Sequence, residues 1–302
     1  MRGFSLAWTL VVAAAAPAQD NVRHGMVDND GVQLHYAAAG AGPLVVMLHG
    51  FPDFWWSWRH QMPALAEDHQ VVALDLRGYN RSDKPPGVAA YRMPVLLSDV
   101  DAVIDHFDCE RAILVGHDWG GAIAWQYAMW RPQRVAKLIV CNLPHPEGLM
   151  RELRDNPQQR ENSAYAHEFQ AEDAHERLTA EGLAAQVAGP KERPRYVEAF
   201  RRSDRRAMLA YYKANFPVAQ PAESNPPPVR RDTADQGLPR VQCPVLLIHG
   251  LEDQALLASG LNDTWEWIDA DLTIVTVPGA GHFVHHDAHD LVTRTMRAWL
   301  HR

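Results

Sequence analysis

The chain has 302 residues, is 47% hydrophobic and carries a formal charge of −8. That length can bury one large core and leaves room for an inserted second module. The acidic balance argues against nucleic acid as a partner, because the arginines between Arg151 and Arg206 are interspersed with Glu and Asp. What remains is a small-molecule ligand.

Arg2, the apolar run from Leu6 to Ala16 and the small residues Ala16-Pro17-Ala18 make up the three parts of a signal peptide over residues 1–18. The run is too short to span a bilayer. Export to the periplasm or medium is therefore expected, with cleavage near Ala18 and no stable membrane insertion. Cys109, Cys141 and Cys243 allow at most one internal disulfide, and Cys141 and Cys243 read as small buried hydrophobes.

Alternation over residues 31–36 is followed by apolar runs at 44–48, 71–74, 112–115 and 138–140, all read as strands. Amphipathic stretches at 55–66, 93–107 and 121–130 separate them, as crossover helices would. The rhythm stops after Pro146, gives way to a helical stretch rich in Arg, Glu and Ala, and ends in the prolines Pro221, Pro226, Pro227 and Pro228. It resumes with strands at 245–249 and 272–277, a helix candidate at 263–268 and an amphipathic segment at 288–300. The fold class is therefore α/β, a mostly parallel doubly wound sheet of about eight strands. Residues 19–145 and 236–302 form the core, and residues 146–235 an inserted helical cap.

After the strand at 112–115 comes Gly116-His117-Asp118-Trp119-Gly120-Gly121, a Gly-X-nucleophile-X-Gly elbow centred on Asp118. A carboxylate in that position displaces a leaving group from an sp³ carbon, forming an alkyl ester with the enzyme. Water must then attack the ester carbonyl, which requires a general base and a site for the oxyanion. His282, in Gly281-His282-Phe283 after the last strand, is the base candidate. Asp253, in Gly250-Leu251-Glu252-Asp253, is its orienting acid, with Glu252 the second choice. The peptide N–H groups of Phe51 and Trp119 are the oxyanion candidates; the bond before Pro52 is a candidate cis peptide. His117 reads as packing, as do Phe54, Trp56 and Trp58, while Trp55 is a candidate substrate contact. His282, His285, His286 and His289 lack a completing Cys or carboxylate set nearby in the sequence, so no metal and no cofactor are expected.

On His49-Gly50-Phe51-Pro52, Asp75-Leu76-Arg77-Gly78-Tyr79 through Ser82-Asp83-Lys84-Pro85, and the elbow at Asp118, the chain resembles the epoxide hydrolase branch of the α/β-hydrolase family. The resemblance covers nearly the whole mature chain. It implies two cap tyrosines that protonate the departing epoxide oxygen, and these match Tyr165 and Tyr212, with Tyr211 as a fallback and substrate contact and His167 as a further fallback. The implied partners are a small apolar epoxide and water. Haloalkane dehalogenases share the Asp-Trp pair, but this chain has Phe51 where they often place a second halide donor, an Asn. Fluoroacetate dehalogenases share the Gly-His-Asp frame but carry arginines just after the nucleophile, where this chain has Trp119 and Ile123. A binding protein on a hydrolase core that has lost its chemistry is the remaining alternative. Oligomeric state has no signature in the sequence.

Overall fold

The continuous apolar runs become central strands because a mostly parallel sheet is covered by helices on both faces. The computed structural model describes residues 22–217 and 238–302. The signal segment 1–18, the proline cluster and the expected end of the cap at residue 235 lie outside those residues.

The strands are β1 (Arg23–Asn29), β2 (Val32–Ala39), β3 (Leu44–Leu48), β4 (Gln70–Leu74), β5 (Ala112–His117), β6 (Val135–Cys141), β7 (Val245–Gly250) and β8 (Leu272–Val277). Their order across the sheet is β1-β2-β4-β3-β5-β6-β7-β8. β2 pairs antiparallel with both β1 and β4, and every other pairing is parallel. β3, β5 and β7 are buried along their whole length. The chain leaves β3 for β4 on one side and returns to β5 on the other, so a crevice opens beyond the carboxyl ends of β3 and β5.

Three expectations need correction. Strand β1 was missing from the sequence reading because only Val27 of its seven residues is buried, leaving no apolar pattern. The helix expected over 55–66 is instead a 3₁₀ turn, Trp55–Trp58, and a separate helix, Gln61–Leu65. The restart puts Pro63 in a first turn, where its missing N–H costs nothing. The crossover from β7 to β8 contains 3₁₀ turns at Ala258–Leu261 and Thr264–Trp267 rather than an α-helix. Asp263, at φ 61°, turns the chain left-handed there, and the few residues remaining are too few to nucleate a helix.

Among the described residues, six α-helices, Pro146–Asp155, Pro157–Asn162, Ala164–Glu168, Ala180–Val187, Arg193–Arg202 and Arg205–Asn215, lie between β6 and β7. The first part is fastened to the β7–β8 connection. Gln159 donates to the Ala255 carbonyl at 2.7 Å and accepts from the Leu257 N–H at 2.8 Å, and Ser259 donates to Glu152 at 2.6 Å. The last part is fastened to the other bank: the Asn80 N–H donates to Ser203 Oγ at 2.8 Å, and the Met93 N–H to Asn215 Oδ1 at 2.8 Å. Gln170 ties the two parts together, donating to the Phe216 carbonyl at 2.9 Å.

The Asp75-Leu-Arg-Gly-Tyr motif is framework. Asp75 accepts from the Trp55 N–H at 3.0 Å and from Asn80 Nδ2 at 2.9 Å, and its Oδ2 lies 2.6 Å from His35 Nδ1. Arg77 makes a buried two-point bond to Asp99, Nε to Oδ2 at 2.6 Å together with Nη2 to Oδ1. Cys141 and Cys243 are buried, and all three cysteines are free thiols. No helix among the described residues is long and apolar enough to cross a membrane.

The helix Trp119–Trp130 is apolar on every side and buried beneath the crevice. Its second residue, Gly120, lies so close to β3 that an added Cβ would stand 2.1 Å from the Leu48 carbonyl oxygen. Backbone meets backbone there, so no rotamer relieves the clash. Gly120→Ala should therefore lower unfolding free energy by about 3 kcal/mol or more, the upper end for overpacking, measured by urea denaturation.

Candidate active site

The turn from β5 into the helix Trp119–Trp130 holds Asp118 at φ 49° and ψ −120°, a conformation that non-glycine residues rarely adopt. The turn aims the carboxylate into the crevice. Gly50, at the end of β3, lets the neighbouring backbone come close: a Cβ on it would lie 2.4 Å from Asp118 Cβ. As a result the Phe51 N–H reaches Asp118 Oδ1 at 2.7 Å. Trp119 makes no such bond to the carboxylate, although as the first helical residue its N–H has no intrahelical partner. The Phe51–Pro52 peptide is cis.

The other carboxylate oxygen, Oδ2, faces His282 Nε2 at 3.7 Å. His282 Nδ1 lies 2.9 Å from Asp253 Oδ2, so Nδ1–H donates to Asp253 and Nε2 is directed at Asp118. Asp253 is saturated with donors. Asn142 Nδ2 reaches its Oδ2 at 2.7 Å, and the Ala255 and Leu256 N–H groups reach its Oδ1 at 2.8 and 3.0 Å. His117 is no base; with 2.9 Å between its Nε2 and the His282 carbonyl, it donates to that carbonyl and so holds the loop.

Burial disfavours the His282 imidazolium, but Asp253, then the Asp118 carboxylate, outweigh it and raise its pKa well above the ordinary 6.5. Burial likewise pushes Asp253 upward, yet the His282 charge and the hydrogen bonds hold it down at about 2. For Asp118 too, burial is outweighed, here by the His282 imidazolium that faces it, and the carboxylate stays below its usual range. His117, buried and beside His282, is lowered to about 4 and remains neutral.

A cavity of about 470 Å³ opens over Asp118 and His282, lined also by Phe51, Tyr165, Phe169 and Tyr212. Tyr165 and Tyr212 stand with ring centroids 6.2 Å apart, and Tyr212 packs edge-on against Trp119 at 5.0 Å. Burial raises both hydroxyls, reinforced by Asp118 for Tyr165 and by Tyr165 for Tyr212, so both remain proton donors at neutral pH.

The structure brings together Asp118, His282, Asp253, Tyr165, Tyr212 and the Phe51 N–H. Two expected substrate contacts do not reach the cavity. Tyr211 donates its hydroxyl to the Arg77 carbonyl at 3.0 Å and is fully buried. The Trp55 indole is held edge-on against His24 and Trp56, both at 5.1 Å. His167, the further fallback, is also outside the lining and packs against Phe216. Glu252 lines the cavity rather than touching His282. Asn142, a buried polar residue just past the carboxyl end of β6, and the cavity residues Phe169, Gln186 and Gln254 join the site without having been expected from the sequence. Position at a strand's carboxyl edge was the available signal for Asn142; the others depend on cap packing.

The family profile described as alpha/beta hydrolase fold matches residues 43–289. The chain belongs to the α/β-hydrolase family, in its epoxide hydrolase branch, and is a hydrolase. It is 34% identical over 297 residues to the AB hydrolase superfamily protein YfhM of Bacillus subtilis (strain 168), covering 93% of this chain and 99% of that protein. It is 31% identical to Epoxide hydrolase 2 of Caenorhabditis elegans, covering 93% of this chain and 80% of that one. Among solved structures, an epoxide hydrolase of Bacillus megaterium in complex with an inhibitor superposes with a TM-score of 0.81 at 31% identity, covering 92% of this chain and all of the other.

Two negative charges hold the His282 proton, so removing either should release it. In a histidine NMR titration, Asp118→Asn is expected to lower the His282 pKa, and Asp253→Asn to lower it further, since Asp253 contributes more. An unchanged titration in both variants would contradict the charge arrangement.

Proposed function

We propose that the chain opens an epoxide to a vicinal diol through an ester on Asp118. The observation that carries this reading is a carboxylate with one oxygen held by the Phe51 N–H and the other free toward a cavity roofed by two protonated tyrosines. Oδ2 attacks an epoxide carbon, the carbon–oxygen bond breaks, and Tyr165 and Tyr212 supply the proton for the departing oxygen. The His282 imidazolium restores that proton. Esterification removes the Asp118 charge, so one of the two groups raising His282 is lost and its imidazole becomes free to act as a base.

His282 then takes a proton from water, whose oxygen attacks Cγ. Oδ1 becomes the oxyanion, held by Phe51 N–H, with the Trp119 N–H as second donor. Collapse expels the alkoxide, which leaves as the second hydroxyl of the diol after protonation from the imidazolium, and the acid proton left on Asp118 passes back to His282. Asp253 keeps the imidazole oriented. The apolar lining favours an apolar epoxide. The haloalkane alternative is weakened by Phe51, which stands where a second halide donor would be needed and lines the cavity with an apolar ring.

Purified protein and its Asp118→Asn variant would be offered aryl and alkyl epoxides beside matched haloalkanes, with diol and halide measured separately. Diol without halide, lost in the variant, is expected; halide without diol would overturn the reading. In a single turnover in ¹⁸O-water the label should enter Asp118 and not the diol. His282→Gln should accumulate protein heavier by the mass of the epoxide.

The hydroxyl donors make a separate prediction. Tyr165→Phe and Tyr212→Phe should each lower kcat/KM roughly 10²-fold, the lower range for general acid catalysis, with little change in thermal stability. Loss of fold in both would instead assign the tyrosines to packing.

A further inference from the structure

Behind the loop that carries Phe51 lies a second polar cluster that the reaction does not use. Asp53 and His285 are fully buried, and the His286 side chain is 8% exposed. One ligand atom from each lies within 4.8 Å of the other two. His285 Nε2 and His286 Nε2 converge on Ser57 Oγ at 2.6 and 3.3 Å, and His286 Nε2 stands 3.6 Å from Asp53 Oδ2. Asp53 Oδ2 is left without a hydrogen-bond partner, as are the Nδ1 atoms of both histidines. The Arg59 guanidinium is turned to the Trp56 carbonyl and the Tyr196 hydroxyl at 3.2 and 3.3 Å.

We propose that Asp53, His285 and His286 bind a divalent transition-metal ion, zinc by preference, with Ser57 Oγ or a water as the fourth ligand. Tetrahedral zinc with bonds of about 2.0 Å sets its ligands about 3.3 Å apart. The His286–Asp53 separation already matches that spacing, and the remaining closure falls to His285. The expectation of no metal considered only the histidines close together in sequence. The carboxylate that completes the set comes from the opposite end of the chain. Asp53 lies two residues after Phe51, and His285 three residues after His282. The ion therefore fastens the loop bearing the oxyanion donor to the loop bearing the base. It stands behind the cavity and touches no substrate.

The test uses untagged full-length protein, stripped with chelator, then titrated with Zn²⁺ and separately with Co²⁺. One Zn²⁺ bound per chain, a rise in Tm on adding it back, and the visible ligand-field bands of four-coordinate Co²⁺ are expected. Asp53→Asn and His286→Gln, checked for fold by circular dichroism, should weaken uptake by more than about 10²-fold, since even outer partners of a metal site are worth 10- to 100-fold. Failure of the stripped wild-type chain to bind Zn²⁺ and Co²⁺ stoichiometrically would overturn the proposal without recourse to any variant. Equal uptake by wild type and both variants would overturn it as well, assigning the metal to surface histidines.

Discussion

The approach of three backbone segments at the carboxyl ends of β3 and β5 is the constraint on which the site depends. Gly50 and Gly120 leave no room for a Cβ against Asp118 and Leu48, and Asp118 itself takes a left-handed conformation of the kind that costs of order 1–3 kcal/mol. That strain is held by the buried strand on one side and the buried apolar helix on the other. Because Gly120 meets Leu48 backbone on backbone and Gly50 meets the Asp118 side chain itself, the carboxylate is fixed relative to the Phe51 N–H with little dependence on other side chains. His282, Asp253 and the tyrosines are then arranged around a point that does not move.

The two carboxylates flanking His282 are unequal, and the inequality assigns their chemistry. Asp253 accepts three hydrogen bonds besides that of His282, which leaves no lone pair suited to attack. Asp118 accepts one, from Phe51, and its Oδ2 meets only the imidazole at 3.7 Å. A carboxylate saturated with donors is a poor nucleophile; one with a donor on a single oxygen keeps lone pairs available on the other. The imidazolium between them answers to both charges, so in the proposed reaction esterification of Asp118 would change its proton affinity at the moment when a base is required.

Strand alternation, the glycine-framed elbow and the order Asp118, Asp253, His282 were legible because each is enforced locally or by strand position. Strand β1 was not, since its exposure on an edge of the sheet leaves no hydrophobic period to read. The fates of Tyr211 and Tyr212 show the same limit at the site. Adjacent residues on one helix point about 100° apart, and only the packing of Arg205–Asn215 on the core decides that Tyr212 meets the cavity while Tyr211 binds the Arg77 carbonyl. Asp53 with His285 and His286 was illegible for a different reason, more than 200 residues separating groups that the sheet brings together.

The helical insertion is tied down on opposite banks of the crevice, Gln159 to the loop that carries Asp253 and Met93 to the helix that carries Tyr212. The span between the two phenols is therefore gauged by the core, as a bridge deck is by its abutments. Exposed cap residues such as Gln186 can change without altering that span. Drift in the cap would retune what enters the cavity while the spacing of the two phenols is inherited from the core.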